Sequence, residues 1–495
     1  MKSKGRLVYK TFWILLIILI IAVAFKLLII GIKKPFWGHH DWNSVVYSKV
    51  ARNYIRYGYI KTKLGQVTNS DYQSPDSFGY ITHYPPLLPI FISFSFKIFG
   101  QTEAAARLVT IFFSLVLVIS IYLLGKEIHS KLLGIFAALS VVLTPLFLYF
   151  GKLPVHDTIV PAISTFGFWA YVKFIKERKR KYIALLVLSL VIGGLVNWSA
   201  FYLVAALVFH QLISKYPKKV RKTIFTLIPL SIIIFAIFVV HIHFLGVKTA
   251  SIYSNLIERI NPYLTSDLYG FTLFKYVKQE LLFLRVYYTM PVFLGAVVFP
   301  LLFLYKLIKK QLVFAQSIIS ALFVYGILQL IVFEQLSFIH DYMIYYLLPY
   351  MILSFSYILI IFIHKFRKSI IYPLILIALV LYIFFDKLDY TKALINTSMH
   401  KRGYDVAEII KKETLSKEKA FISSNSYKEF EDVFVTYYAD RDVAYGEELP
   451  ENFENKFKLI IRPKDHDPLD TVSKKLLDSQ YQRFENNDFI WYKIY

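Results

Sequence analysis

Residues 104–131 read AAARLVTIFFSLVLVISIYLLGKEIHSK, and this stretch decides the fold. Ala104 to Leu124 spans 21 residues with a single charge, Arg107, and the run closes on Lys126 and Lys131. A helix rises about 1.5 Å per residue, so this length crosses the roughly 30 Å hydrocarbon layer of a bilayer. An apolar run of that length with a basic end reads as a transmembrane helix.

The same texture recurs on both sides. Apolar runs lie at Phe12–Phe25, continued past Lys26 to Ile32, and at about 132–150, 158–173, 183–197, 199–213, 223–243, 287–305, 312–332, 343–363 and 370–385. The reading is about eleven spans. The 495-residue composition agrees: 57% hydrophobic, 18% aromatic, 18% charged, mean hydropathy +0.51. An ordinary globular chain is about 45–50% apolar and about 25% charged. A disordered chain, a collagen and a typical soluble enzyme are excluded. The absence of cysteine removes disulfides, thiolate-bound zinc, Fe–S centres and thiol nucleophiles. A basic stretch (Lys2, Lys4, Arg6, Lys10) precedes the first run, as in a signal peptide. No small-residue cleavage site follows, so an uncleaved first span is expected.

Charge sets the expected orientation. Residues 386–495 hold 18 basic and 21 acidic groups, whereas residues 1–385 hold 39 and 12. A basic excess confined to the apolar region reads as membrane topology and not as nucleic-acid binding. With a cytoplasmic amino terminus, the inner loops contain Lys126–Lys131, Lys173–Lys181, Lys215–Lys222, Lys306–Lys310 and His364–Lys368. The outer segments then take all acids of residues 1–385 except Glu127 and Glu177. This predicts a multi-pass cell-membrane protein with an extracytoplasmic carboxy-terminal domain. Residues 1–385 form the membrane domain, with long outer loops at 33–103 and 244–286. Residues 386–495 alternate apolar strands with helix-like stretches, as in a small α/β domain.

Few ionisable groups fall inside the spans, which counts against an ion-coupled transporter. Polar residues gather in the outer segments. The first opens Pro35-Phe36-Trp37-Gly38-His39-His40-Asp41-Trp42. Trp42, Val46, Val50, Tyr54 and Tyr57 then recur at helical spacing, with Lys49, Arg52 and Arg56 on another face. Asp41 is either a functional acid or an N-cap below a solvated basic face. A membrane-lying amphipathic helix fits the same spacing. His39, His40 and Asp41 also suit a metal, although neighbouring side chains on a helix diverge. Thr82-His83-Tyr84-Pro85-Pro86 follows, then Glu103 and Arg107. Arg107 reads as a headgroup anchor or as the partner of an outer carboxylate. The short second outer loop supplies Lys152 and Asp157, the latter also a plausible N-cap type. The last supplies His340-Asp341-Tyr342, which are either solvated or suited to a phosphate or sugar hydroxyl.

Together these positions resemble the GT-C fold glycosyltransferases, in the bacterial branch related to protein O-mannosyltransferases and the lipid A aminoarabinose transferase. The resemblance rests on Asp41 after the first span, Tyr84-Pro85-Pro86, Ala106-Arg107-Leu108, Asp157, and His340-Asp341-Tyr342 with Pro349. It covers about residues 10–385. Asp41 is followed by Trp42 where several relatives carry a second acid. Tyr84 stands where the aminoarabinose branch has lysine. The resemblance implies a polyprenyl-phosphate-sugar donor, an extracytoplasmic glycan or protein acceptor, and inversion at the sugar carbon. It makes Asp41 the base, with Asp157 supporting the site. His83, Tyr84, Arg107, Lys152, His340, Asp341 and Tyr342 become candidates for substrate contacts. The resemblance fixes no cofactor and leaves a divalent cation open. The competing readings are a lipid or glycan flippase, and a membrane anchor whose tail binds a polymer.

Overall fold

The computed structural model describes every residue except 1, 70–76, 215, 248–253, 255–256, 258–259, 262–269, 365–370 and 425–431. Part of the predicted loop at 244–286, and residues 365–368 of the predicted inner loop His364–Lys368, therefore lie outside the described residues.

Among the described residues, seven helices are long and apolar enough to cross a bilayer: Thr11–Leu28, Glu103–Ile128, His156–Glu177, Val220–Phe244, Met290–Ile308, Phe314–Val332 and Asp341–His364. Shorter helices at Lys131–Val142, Arg180–Val196, Tyr202–Ile213 and Ile371–Asp386 cover other predicted runs. The protein is a multi-pass, mostly helical membrane protein. The run expected at 132–150 is two helices, Lys131–Val142 and Pro145–Phe150. Proline at 145 has no N–H to continue the first helix, but it fits the opening turn of a second. Ser130 caps the first by accepting from the Leu133 N–H at 3.2 Å.

Contacts divide the chain into two compact units. The first comprises residues 1–32, 82–88 and 107–393. Its helices approach closely at glycines. A Cβ on Gly134 would lie 2.4 Å from the Tyr122 carbonyl, and one on Gly295 would lie 2.7 Å from the Phe355 Cα. Lipid offers no hydrophobic drive between helices, so such close backbone contact carries the packing.

The second unit comprises residues 33–81, 89–106 and 394–495. Most of the first outer loop thus belongs with the tail, while residues 82–88 belong to the first unit. The tail holds a five-stranded sheet ordered β4-β3-β5-β7-β6, with β3 at Ala420–Ser423, β4 at Val443–Gly446, β5 at Leu459–Pro463, β6 at Gln482–Glu485 and β7 at Phe489–Lys493. β4, β3 and β5 run parallel, and β7 and β6 add antiparallel strands. Alternation sorts the side chains. Ala420, Ile422, Leu459 and Ile461 meet helices Lys401–Glu413 and Asp432–Ala439, while Phe421, Ile460 and Tyr492 meet Phe453, Phe457 and Leu477. A two-residue ladder, β1 (Gln66–Val67) with β2 (Tyr80–Ile81), lies in the loop.

The helix Asp41–Tyr57 forms, and it buries its basic face. Lys49 Nζ donates to Thr436 Oγ1 at 3.0 Å, and Arg52 donates to the Tyr437 carbonyl at 2.8 Å. Both Arg52 and Arg56 pair with Asp440. The sequence reading of a solvated basic face is corrected. The helix Asp432–Ala439 and Asp440 just after it supply partners that no local pattern announces.

Candidate functional site

In the second unit Asp41 is the first residue of its helix and is 5% exposed. Its Oδ2 accepts from the Gly38 N–H at 2.8 Å, and its Oδ1 accepts from the Ser44 hydroxyl at 2.9 Å. His40 precedes it in a left-handed conformation, φ 61°. That turn brings the His39 and His40 imidazoles side by side, with ring centroids 4.0 Å apart. Imidazole nitrogens so placed are a donor type that zinc and similar cations accept. Deeper along the helix, burial and the neighbouring Arg52 pull the Lys49 ammonium down to about 8.

In the membrane unit the predicted residues fall into three groups. Asp157 sits at the second position of the helix His156–Glu177 and is 2% exposed. Its Oδ1 accepts from Asn197 Nδ2 at 3.2 Å and from the Tyr346 hydroxyl at 2.9 Å. Val155 is the N-cap of that helix, so the carboxylate is engaged by other elements instead. Asn197 also accepts from the Ser199 N–H, and the Ser199 hydroxyl donates to Gln329 at 2.9 Å. Beside this group the Tyr84 ring packs on His156, with centroids 4.6 Å apart. His83 is half-buried in the same turn.

The second group is cationic. Arg107 and Lys152 are 6% and 7% exposed. Arg107 donates to the Ile32 carbonyl at 2.9 Å, and Lys152 donates to the Ile30 carbonyl at 2.5 Å. Two cations thus converge just past the carboxy-terminal end of the first crossing helix, where unpaired carbonyls favour positive charge.

The third group is His340-Asp341-Tyr342. Asp341 is 6% exposed and accepts a hydrogen bond from the Tyr287 hydroxyl. The reading of Asp341 as a solvated residue is corrected by that burial. His340 and Tyr342 stack at 5.1 Å, and Phe150 packs on both Tyr287 and Tyr342. Sequence reasoning missed Tyr287, Tyr346, Asn197's role toward Asp157, and Glu280. Tyr276, Glu280 and Tyr287 all lie buried along the helix Leu273–Tyr287. Their spacing across a loop rich in charge was the available signal. Burial, and then the charge of Asp341, push the Glu280 carboxyl up to about 8.

Residues 83–244 match a family described as dolichyl-phosphate-mannose-protein mannosyltransferase. That segment contains His83, Tyr84, Arg107, Lys152 and Asp157. A comparison with curated protein sequences finds no match. Among solved structures, the Archaeoglobus fulgidus oligosaccharyltransferase in complex with Zn and sulfate is similar at TM-score 0.60 and 14% identity, covering 90% of this chain and 68% of that one. ArnT from Cupriavidus metallidurans in the apo state is similar at TM-score 0.59 and 12% identity, covering 98% of each chain. The same protein bound to undecaprenyl phosphate gives TM-score 0.58 and 11% identity, covering 97% of this chain and 98% of that one. At such identities the likeness is one of architecture, and the architecture shared over nearly the whole chain is the GT-C fold.

Proposed function

We propose that this chain is a membrane glycosyltransferase that moves a sugar from a polyprenyl-phosphate-linked donor to an extracytoplasmic acceptor. The acceptor class is a cell-wall polymer, a lipid-linked glycan or a protein. The observation that carries this reading is the buried pair Arg107 and Lys152, set at one turn of chain just past the first crossing helix. Two cations held away from bulk water suit a phosphate that gains charge as it leaves. The fold supports the same reading, because ArnT with undecaprenyl phosphate shares it.

In this mechanism Asp41 takes the proton from the acceptor hydroxyl. The oxygen attacks the anomeric carbon on the face opposite the phosphate, so the configuration inverts. The carbon–oxygen bond to phosphate breaks, and the electron pair leaves on polyprenyl phosphate beside Arg107 and Lys152. Gly38 and Ser44 fix the direction of the Asp41 carboxyl oxygens. Asp157 is a positioning residue that locks Asn197 and Tyr346. His83, Tyr84, His340, Asp341 and Tyr342 line the substrates. The side-by-side imidazoles of His39 and His40 fit a divalent cation, which would supply positive charge beside Asp41. The amino terminus is cytoplasmic, and residues 386–495 are extracytoplasmic.

The test uses membranes holding the full chain and a radiolabelled polyprenyl-phosphate sugar. Asp41→Asn should keep expression and thermal stability while transfer falls by at least about 1,000-fold. Retained transfer would remove Asp41 from the base role. Arg107→Gln should instead lower transfer together with donor affinity.

A further inference from the structure

A cavity of about 550 Å³ opens beside the helix Leu273–Tyr287, between helices Met290–Ile308 and Phe314–Val332 and the turn at Leu347. This is within the usual range for a small-molecule site, about 300–1,000 Å³. Its walls are apolar and aromatic, including Tyr276, Phe293, Ala296, Phe323 and Tyr350. Among the described residues its charged lining is entirely acidic, Glu280 and Glu334, with no lysine or arginine. Glu280 is 7% exposed, and neither carboxyl oxygen has a hydrogen-bond partner among the described residues. A buried polar group left unpaired costs about 1–3 kcal/mol, and more when charged. Natural proteins rarely carry such a group without a use for it.

The basic side chains of the same helix lie elsewhere. Lys275, Lys278 and Arg285 line a separate groove of about 520 Å³ with Leu282, Phe283 and Phe338. One short helix therefore presents an acidic, apolar pocket and a basic, apolar groove. Two carboxyls and no cation line the pocket among the described residues, so it offers a phosphate no partner and suits a cation.

We propose that the Glu280 cavity is a binding site for an amphiphile with a single apolar chain and an ammonium head group. The chain fills the apolar walls, and the ammonium donates to the Glu280 carboxylate, with Glu334 adding negative potential. An ammonium there offsets both the desolvation and the repulsion from Asp341 that hold the free carboxyl neutral. Neither Arg107 nor Lys152 lines this cavity, and the site stands whether or not the transfer reaction is as proposed.

The test measures binding of hexadecylamine, hexadecanol and hexadecyl phosphate to the full chain in neutral-lipid nanodiscs, with empty nanodiscs as blank. The amine should bind at least tenfold more tightly than either of the others. Glu280→Gln should erase that preference and leave alcohol binding unchanged. Ile327→Trp, on the cavity wall, should block all three. Equal binding of amine and phosphate would overturn the proposal, and so would a preference that survives Glu280→Gln. Amine binding untouched by Ile327→Trp would place the ligand elsewhere and overturn it equally.

Discussion

Asp41 and Asp157 are both buried carboxylates, and they are held in opposite ways. Asp41 takes its hydrogen bonds from Gly38 and Ser44, each three residues away. Asp157 takes its bonds from Asn197 and Tyr346, 40 and 189 residues away. The first accepts hydrogen bonds from within one helical turn, and the second accepts them from distant helices. Hydrogen bonds from the same turn keep part of an acid's aim when distant packing shifts, as suits a group that exchanges a proton. A globally held acid reports the assembly of the bundle, as suits a positioning role.

The contrast is sharpest at Asp157. Asp157→Ala orphans a phenol and an amide, each costing roughly 1–3 kcal/mol. The apparent melting temperature in detergent should fall by several degrees, and transfer should fall by about 100-fold. A stable, fully active Asp157→Ala protein would end the distinction. Tyr346→Phe removes one donor and keeps the ring, so transfer should drop by about tenfold with little loss of stability. Ser44→Ala removes half of the local grip on Asp41. A loss of about three- to fivefold is expected, since the Gly38 N–H still holds the other oxygen. An effect of Ser44→Ala larger than that of Tyr346→Phe would invert the comparison.

The smallest effect on transfer is expected at Lys49. Its folded value is about 8 against 10.5 unfolded, so the native state releases the proton first. Stability of the second unit should therefore rise between about pH 8 and pH 10.5 and stay flat below. Lys49→Met should remove that slope and change transfer by no more than about twofold. Melting curves across pH 7–10 check both statements.

The difference between the two acids also explains what the sequence revealed. The helix after Asp41 was legible because its apolar residues recur at 3.6-residue spacing. The tail's strands β3, β4, β5 and β7 were legible as apolar stretches, whereas β6 was not. Its residues Gln482 to Glu485 are mostly exposed, as an edge strand permits. Tyr346 and Asn197 carry no local pattern that points to Asp157, because only the folded bundle brings them there. Glu280 was hidden for a related reason. The charges around it disguised the helix Leu273–Tyr287 as an ordinary loop, and a cavity has no signature along a chain. The break at Pro145 could have been read, since proline inside a 19-residue apolar run interrupts helix hydrogen bonding.

One phenol in the second unit has a wider consequence. The Tyr438 oxygen accepts from the Phe36 N–H at 2.6 Å and donates to Glu103 at 3.0 Å. Segments separated by hundreds of residues thus share a single atom. The tail is not an interchangeable cassette. A chimera carrying a foreign carboxy-terminal domain must restore a hydroxyl at that spot, or the segment leading into Asp41 loses an anchor although none of its own residues has changed.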